Sequence, residues 1–316
     1  MRILITGAGG YIGSNAVNYF LRNGFEVTGT VHNKVSERFA ASGVSSRYLD
    51  LNDSATIQAL FHERYDYIIH IAALASDTGR DELFRRANFD AVKELALLGL
   101  KHNVKRFVYL STADVYGLHD FHGETENELS FDWSVKNPYP KYKIMSEEWL
   151  KRNLPADKFS CVRPCVVYGN GDTTITPRAL KFLQSSPWVI HFGRWGGRNR
   201  WPLAHVENVC RTLHAAMLLE VAGGCGVTVL DSKYTTLSDY YRELSRTYFP
   251  DKRFREITLP VWSIWFPAWI SSRFSGTQPL FDPTLYSLAT ITHNLDFSNS
   301  RMLDWLNRAG LTEYTG

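Results

Sequence analysis

The opening run MRILITGAGGYIG sets three glycines, Gly7, Gly10 and Gly13, between an aliphatic strand-forming segment and the start of an amphipathic one. That arrangement leaves few alternatives. Gly7 suits the tight turn out of a strand, Gly10 lets the backbone approach a pyrophosphate, and Gly13 lets the following helix pack closely on the strand. The phosphates would lie at the helix N-terminus, beside Gly10, Tyr11, Ile12 and Gly13, where N–H groups lack intrahelical partners.

The segments that follow keep a regular rhythm. Strands are predicted at 2–6, 26–31, 67–71 and 106–111, alternating with helices at 14–23, 55–63 and 80–102. This alternation indicates βαβ units. Near-continuous apolar runs such as Ile3-Leu4-Ile5 and Phe107-Val108-Tyr109-Leu110 fit a sheet covered on both faces. The predicted fold class is α/β, a Rossmann-type doubly wound parallel sheet with a smaller, mixed α/β C-terminal substrate domain. The dinucleotide-binding domain is expected over 1–168, with a return of the chain around 203–230, and the substrate domain mainly over 169–316. Beyond 168 the alternation loosens, and all nine Trp lie at or after Trp133.

Thirty-five basic against 32 acidic residues leave a net charge of +3. That is too mild a surplus for a nucleic-acid face, so no nucleic-acid partner is expected. The four cysteines form no CxxC pair and have no neighbouring His cluster, which excludes a metal site and fits a reduced, cytoplasmic protein. The start leaves no room for a signal peptide before the glycine loop. The longest apolar stretch, 259–270, contains Pro260 and Pro267 and is about half of a ~20-residue membrane span, so no integral membrane segment is expected.

Cofactor choice is read at the end of the second strand, where an acidic residue takes the ribose hydroxyls in NAD-specific proteins. Here the strand ends Val31-His32-Asn33-Lys34, with no carboxylate. His32 and Lys34 are placed to face a 2′-phosphate, so NADP is expected, with NAD as the alternative. Asp50-Leu51, closing the third strand, is placed to meet the adenine ring.

Tyr139 and Lys143 stand four apart in Tyr139-Pro140-Lys141-Tyr142-Lys143, on one face of a predicted helix. A tyrosine with its ordinary pKa near ~10 is a poor base. An adjacent ammonium favours the phenolate and tunes it for acid/base work. Upstream, Ser111-Thr112 ends a strand at the carboxyl edge of the sheet, where open α/β sheets bind ligands.

With these elements in order, the chain resembles the extended short-chain dehydrogenase/reductase family. That group includes nucleotide-sugar epimerases and dehydratases and the 3β-hydroxysteroid dehydrogenases. The resemblance runs through TGAGGYIG at 6–13, Asp50-Leu51, His70-Ile71-Ala72-Ala73, Asn88, YLSTADVYG at 109–117, YPKYK at 139–143, RPCVVYGNGD at 163–172 and HVENV at 205–209. It implies that Tyr139 exchanges a proton with the substrate oxygen, that Lys143 holds the nicotinamide ribose, and that Thr112 hydrogen-bonds the reacting oxygen. It further implies cofactor contacts at Ala72, Ala73, Asn88, Pro164 and Val166, and a homodimer built on the helices after Arg80 and around Tyr139.

Departures from the family narrow the reading. Sugar dehydratases carry an Asp-Glu pair where this chain has Ala113 and Asp114, and nucleotide-sugar enzymes carry an Asn where it has Val166. Trp201 stands where those enzymes commonly place an Arg. The Val206-Glu207-Asn208-Val209 run resembles the steroid and sterol dehydrogenase branch, as does the apolar 259–270 segment. These aromatics are read as a wall for a flat apolar substrate, as core, or as a membrane-surface contact. Ala113, Asp114, Arg200 and Trp201 are the candidate substrate contacts. The leading expectation is a secondary alcohol/ketone oxidoreductase acting on a small molecule of steroid-like or β-keto lipid-like character. Arg194, Arg198 and Arg200 would serve a diphosphate in the alternative, a nucleotide-sugar epimerase or reductase. A non-catalytic dinucleotide sensor is the second alternative, and its expected loss of Tyr139 or Lys143 has not occurred.

Overall fold

The computed structural model describes residues 1–33, 37–274 and 282–315. Its strands are β1 (Arg2–Thr6), β2 (Glu26–Val31), β3 (Ser46–Tyr48), β4 (Tyr67–His70), β5 (Arg106–Leu110), β6 (Phe121–Glu124) and β7 (Phe159–Pro164). There follow β8 (Val166–Tyr168), β9 (Trp188–Phe192), β10 (Leu203–His205), β11 (Gly226–Val229), β12 (Arg255–Leu259) and β13 (Leu295–Phe297). Helices of the first half are α1 (Tyr11–Arg22), α2 (Glu37–Ala40), α3 (Ser54–Ala59), α4 (Asp81–Arg85), α5 (Ala91–Lys101) and α6 (Pro138–Asn153). The second half carries α7 (Ile175–Ser185), α8 (Val206–Leu218), α9 (Leu237–Tyr248), α10 (Trp262–Phe274), α11 (Leu285–Thr292) and α12 (Ser300–Arg308).

Seven strands form one parallel sheet in the order β11-β7-β5-β4-β1-β2-β3. From β1 the chain builds outward to β3 and then restarts on the other side of β1 with β4. The carboxyl ends of β1 and β4 therefore face a crevice between oppositely directed crossovers, where such sheets bind ligands. Strands β1, β4 and β5 are almost entirely buried, as the aliphatic runs require. One face packs Ile3, Ile5 and Val108 against Ala16, Val17 and Phe20 of α1, Leu213 of α8 and Trp305 of α12. The other packs Leu4, Ile68 and Tyr109 against Ile57 of α3, Leu95 of α5 and Leu150 of α6.

The predicted β1 and β2 coincide with the observed strands, and α1 starts three residues earlier than expected because Gly10, in extended conformation, is itself the N-cap. The helix expected at 80–102 runs through α4 and α5 with one wider π turn at Arg86–Asp90 between them. Residues 226–229 return to the main sheet as β11 beside β7. The pairs β8/β10 and β9/β12, both parallel, belong with α7, α9, α10 and α11 to the region over the carboxyl edge. Ala179, Leu183, Val189, Trp201, Leu237 and Tyr240 form the core of that region.

The aromatic segment at 259–270 is neither core nor cavity wall. Trp262 is 78% and Phe266 60% exposed, Trp265 and Trp269 are also exposed, and Ile264 alone of this stretch reaches the cavity described below. The face of α10 turned inward carries the small Ala268 and Ser271. No helix among the described residues is long and apolar enough to cross a membrane.

Candidate active site

One cavity of about 1140 Å³ runs from the glycine loop across the carboxyl edge of the sheet into the C-terminal region. Its first end is built almost wholly from backbone. Gly7 has a positive φ of 72°, and a Cβ there would stand 2.8 Å from the backbone nitrogen of Ala72. A Cβ on Gly13 would run into the carbonyl of Gly7. Gly10 caps α1 without a side chain, and the first turn of α1 holds no acidic residue, so the positive end of the helix faces the loop unneutralised. Thr6 Oγ1 accepts from the N–H groups of Ile71 (3.1 Å) and Ala72 (3.2 Å), and Thr30 Oγ1 from Gly7 N–H (3.2 Å), which ties the three strands together around the loop. A glycine cradle of this kind fits a dinucleotide pyrophosphate. Gly7, Gly10, Tyr11, Ile12, Gly13, Ala72 and Ala73 all line it.

His32, Asp50 and Leu51, after β2 and β3, also line the cavity. His32 Nε2 lies 3.8 Å from Asp50 Oδ2. Hydrogen bonds from Asn52 and the nearby His32 hold the Asp50 carboxyl below the usual carboxylate range. Lys34 lies outside the described residues.

Helix α6 delivers Tyr139 and Lys143. Asn137 caps it by accepting from Tyr139 N–H (2.8 Å), and Pro138 supplies a preset first turn. Both side chains line the cavity, with Lys143 Nζ 5.7 Å from the Tyr139 ring centre. Lys143 Nζ donates to the Leu110 carbonyl (2.7 Å) and lies 4.6 Å from the Tyr109 ring centre. Burial pulls the Lys143 ammonium down to about 7. The ammonium was expected to lower the Tyr139 pKa, but burial and the charge of Asp114 push it above its ordinary value. Desolvation disfavours the phenolate, and the neighbouring Asp114 carboxylate disfavours it further.

Other expected residues lie beside the cavity rather than on it. Thr112 caps the short helix Ala113–Tyr116, and its hydroxyl donates to Asp114 Oδ2 (3.0 Å). Asn88 exchanges two hydrogen bonds with the backbone of Leu74 (2.8 and 2.9 Å) and so shapes the loop after β4. Pro164 is buried in β7, whereas Val166 lines the cavity. Arg200 is buried, with one nitrogen on the Asp231 carbonyl (3.2 Å) and its guanidinium 4.3 Å over the Tyr234 ring. Arg194 pairs with Asp120, and neither Arg194 nor Arg198 lines the cavity. The arginines thus form no anion clamp there.

The second end of the cavity is an apolar chamber floored by Ala113 and walled by Ile175, Phe182, Phe192, Trp201, Tyr240 and Tyr241. Trp201 is buried, and its indole N–H has no partner among the described residues. Three side-chain contacts at this end are not evident from the sequence. Arg178 of α7 donates to Asp77 Oδ2 (2.9 Å) and to Asp282. Tyr286 of α11 donates its hydroxyl to Asp114 Oδ2. Asp77, Asp114, Arg178, Asp282 and Tyr286 all line the chamber. These partners lie 101, 104 and 172 positions apart, and no local pattern announces them. Lys143 and Arg178 are the only Lys or Arg side chains among the described lining residues. No group of three or more His, Cys, Asp or Glu among the described residues could hold a metal ion.

Residues 3–228 match the NAD dependent epimerase/dehydratase family. A ketoreductase of Stigmatella aurantiaca, named for 4-hydroxy-2-methyl-3-oxo-4-farnesyl-3,4-dihydroquinoline-1-oxide, is 27% identical over 236 residues, 72% of this chain and 66% of that protein. A UDP-glucose 4-epimerase of Caenorhabditis elegans is 32% identical over 170 residues, about half of each chain at 48%. Among solved structures, MoeE5 in complex with UDP-glucuronic acid and NAD superposes with a TM-score of 0.71 at 19% identity, covering 100% of this chain and 95% of that one. The chain belongs to the NAD dependent epimerase/dehydratase family, and it is an enzyme of the extended short-chain dehydrogenase/reductase type.

Proposed function

We propose that this member of the NAD dependent epimerase/dehydratase family is an oxidoreductase that interconverts a secondary alcohol and a ketone on a neutral, largely apolar substrate. The observation that carries this reading is the state of Arg178. The one arginine among the described chamber residues already sits between Asp77 and Asp282. A nucleotide diphosphate would have to take Arg178 from them and bring its negative charges beside Asp77, Asp114 and Asp282. Residues 275–281, SGTQPLF, add no charge of either sign.

A bound nicotinamide dinucleotide supplies the hydride acceptor or donor. Tyr139 holds the proton that goes to the substrate oxygen in reduction, and its raised pKa keeps it in the donating form. Lys143 and Tyr139 would hold the ribose beside the nicotinamide, and the glycine cradle the pyrophosphate. NADP is the proposed cofactor because the end of β2 presents His32 rather than a carboxylate. The NAD alternative rests on Asp50, whose carboxylate lies close to His32. Steroid-like and β-keto lipid-like skeletons both suit the chamber, and the farnesyl group in the Stigmatella enzyme's name is apolar in the same sense. The epimerase alternative rests on the UDP-glucose 4-epimerase relatives, but it finds no free arginine among the described chamber residues.

A homodimer through α4, α5 and α6 belongs to the same proposal, with Leu97 and Leu100 exposed on α5. So does a cytoplasmic location, with all four cysteines free. The catalytic assignment is tested with Tyr139→Phe. Ketone reduction should fall about 10²–10⁴-fold while NADPH affinity stays within about threefold, since loss of one hydroxyl leaves the phosphate cradle intact. Turnover retained in the variant would remove Tyr139 from the chemistry.

A further inference from the structure

We propose that Asp114 and Tyr286 form a second oxygen-binding station in the chamber, selecting substrates with a hydroxyl group close to the reacting carbonyl. The inference rests on the oxidoreductase reading and narrows its substrate class to neutral hydroxyketones and, in the reverse direction, diols.

Asp114 reaches the chamber from the short helix after β5, and Tyr286 meets it from α11 on the opposite wall. Both recorded side-chain bonds to Asp114 fall on Oδ2: the Thr112 hydroxyl donates to it at 3.0 Å, and the Tyr286 hydroxyl donates to it as well. Oδ1 has no hydrogen-bond partner among the described residues. Burial raises the Asp114 pKa, and the two O–H donors aimed at one oxygen work against that in favour of the carboxylate and fix its plane. Oδ1 is thus an oriented acceptor inside an apolar chamber whose arginine is committed elsewhere.

Once a substrate fills the chamber and covers it, an acceptor so placed costs free energy unless a donor meets it. A simple ketone brings no donor, a second carbonyl brings another acceptor, and a carboxylate brings repulsion. A hydroxyl satisfies it. Asp114, Tyr286 and Tyr139 line the same cavity, and Asp114 is held by the hydroxyl of Thr112, the residue expected at the reacting oxygen, which sets the station beside the oxygen that Tyr139 serves. A site that hydrogen-bonds a substrate hydroxyl discriminates strongly against the analogue lacking it, because its own polar group is then left unpaired. That makes Asp114 a specificity-determining residue, with Tyr286 and Thr112 as its positioning residues.

Three neutral probes differ only at the carbon beside the ketone: benzoin (hydroxyl), deoxybenzoin (hydrogen) and benzil (carbonyl). Their binding is read as the rise in Tm of the full chain with NADP present, and their reduction as kcat/KM with NADPH. The wild-type protein should prefer benzoin to deoxybenzoin by about tenfold or more, with benzil weaker than benzoin. In Asp114→Asn the amide oxygen takes the bonds from Tyr286 and Thr112, so the amide NH₂ occupies the place of Oδ1 and the station changes from acceptor to donor. A hydroxyl can accept from that NH₂ as a carbonyl can, so the preference for benzoin over benzil should be lost. Tyr286→Phe should narrow the benzoin preference without abolishing it. Equal binding of benzoin and deoxybenzoin by the wild-type protein, or a benzoin-over-benzil preference unchanged in Asp114→Asn, would overturn the proposal. The two readings fail separately, because the Tm series reports the station even when no hydride is transferred and Tyr139→Phe reports the chemistry.

Discussion

The two ends of the cavity are built by opposite means. At the cofactor end, backbone and small residues from adjacent parallel strands make the surface, and Thr6, Thr30 and Ala72 bind the loop to its neighbours within the first 72 residues. At the substrate end, side chains from α7, α11 and the loop before Thr284 meet across the chain, and the few polar contacts among them, Arg178 with Asp77 and Asp282 and Asp114 with Tyr286, decide what fits. A backbone cradle is hard to alter one residue at a time. A chamber defined by single side chains is easy to retune, so one scaffold can serve many substrates.

The strongest way to break this contrast is to attack the scaffold beneath both ends. Glu147 of α6 and Arg163 of β7 form a buried ion pair (2.6 Å), and Arg163 also donates to the Tyr116 hydroxyl (2.6 Å). Glu147→Ala leaves the guanidinium buried and uncompensated, and the urea midpoint should report a loss of roughly 3–5 kcal/mol. A loss near that of an ordinary surface substitution would show that α6 is not held by this pair.

A smaller effect concerns pH. Lys143 is pulled to about 7 in the folded protein, against an ordinary value near 10.5 when unfolded. Between those values the unfolded chain binds the proton that the folded one has lost, so this group makes stability rise with pH across that window and contributes no slope below it. Buried tyrosines, Tyr139 among them, act in the opposite direction above about pH 10. The stability of the wild-type protein relative to Lys143→Met should therefore increase from pH 7 to pH 9. A flat difference would place the ammonium in a more polar setting than the Leu110 carbonyl and Tyr109 ring provide.

The smallest effect is expected where residue type alone forecasts a large one. Trp265 belongs to the largest class of side chain, but it stands on the outward face of α10. Trp265→Ser should change stability by no more than about 0.5 kcal/mol and leave the binding of NADPH and of ketone probes unaltered. A large loss would mean that the face of α10 is covered in solution.

Most of the cofactor end was legible in the sequence, since its determinants are local. Three glycines at fixed spacing, an aliphatic run before them and an amphipathic run after them act within a dozen residues, and Tyr139 and Lys143 share a helix face by spacing alone. The substrate end was not legible for the same reason in reverse. Nothing near Asp114 announces Tyr286, and nothing near Arg178 announces Asp77. Aromatic content left pocket wall, core and surface contact open at 259–270, because residue type does not say which face of an apolar helix meets the core. Nor does the sequence of the arginine loop show that Arg200 is spent on the Asp231 carbonyl and the Tyr234 ring. The Tyr139 pKa was expected to fall because the sequence displays the neighbouring amine but not the burial that outweighs it.

The central claim is that the chamber receives a neutral substrate because its arginine is already held by two carboxylates. The most direct measurement is the Tm of the NADP-loaded protein with benzoin in one series and UDP-glucose in another. The account predicts a concentration-dependent rise with benzoin and none with UDP-glucose. A rise with UDP-glucose, with or without one from benzoin, would contradict it, and would mean that a diphosphate takes Arg178 from Asp77 and Asp282.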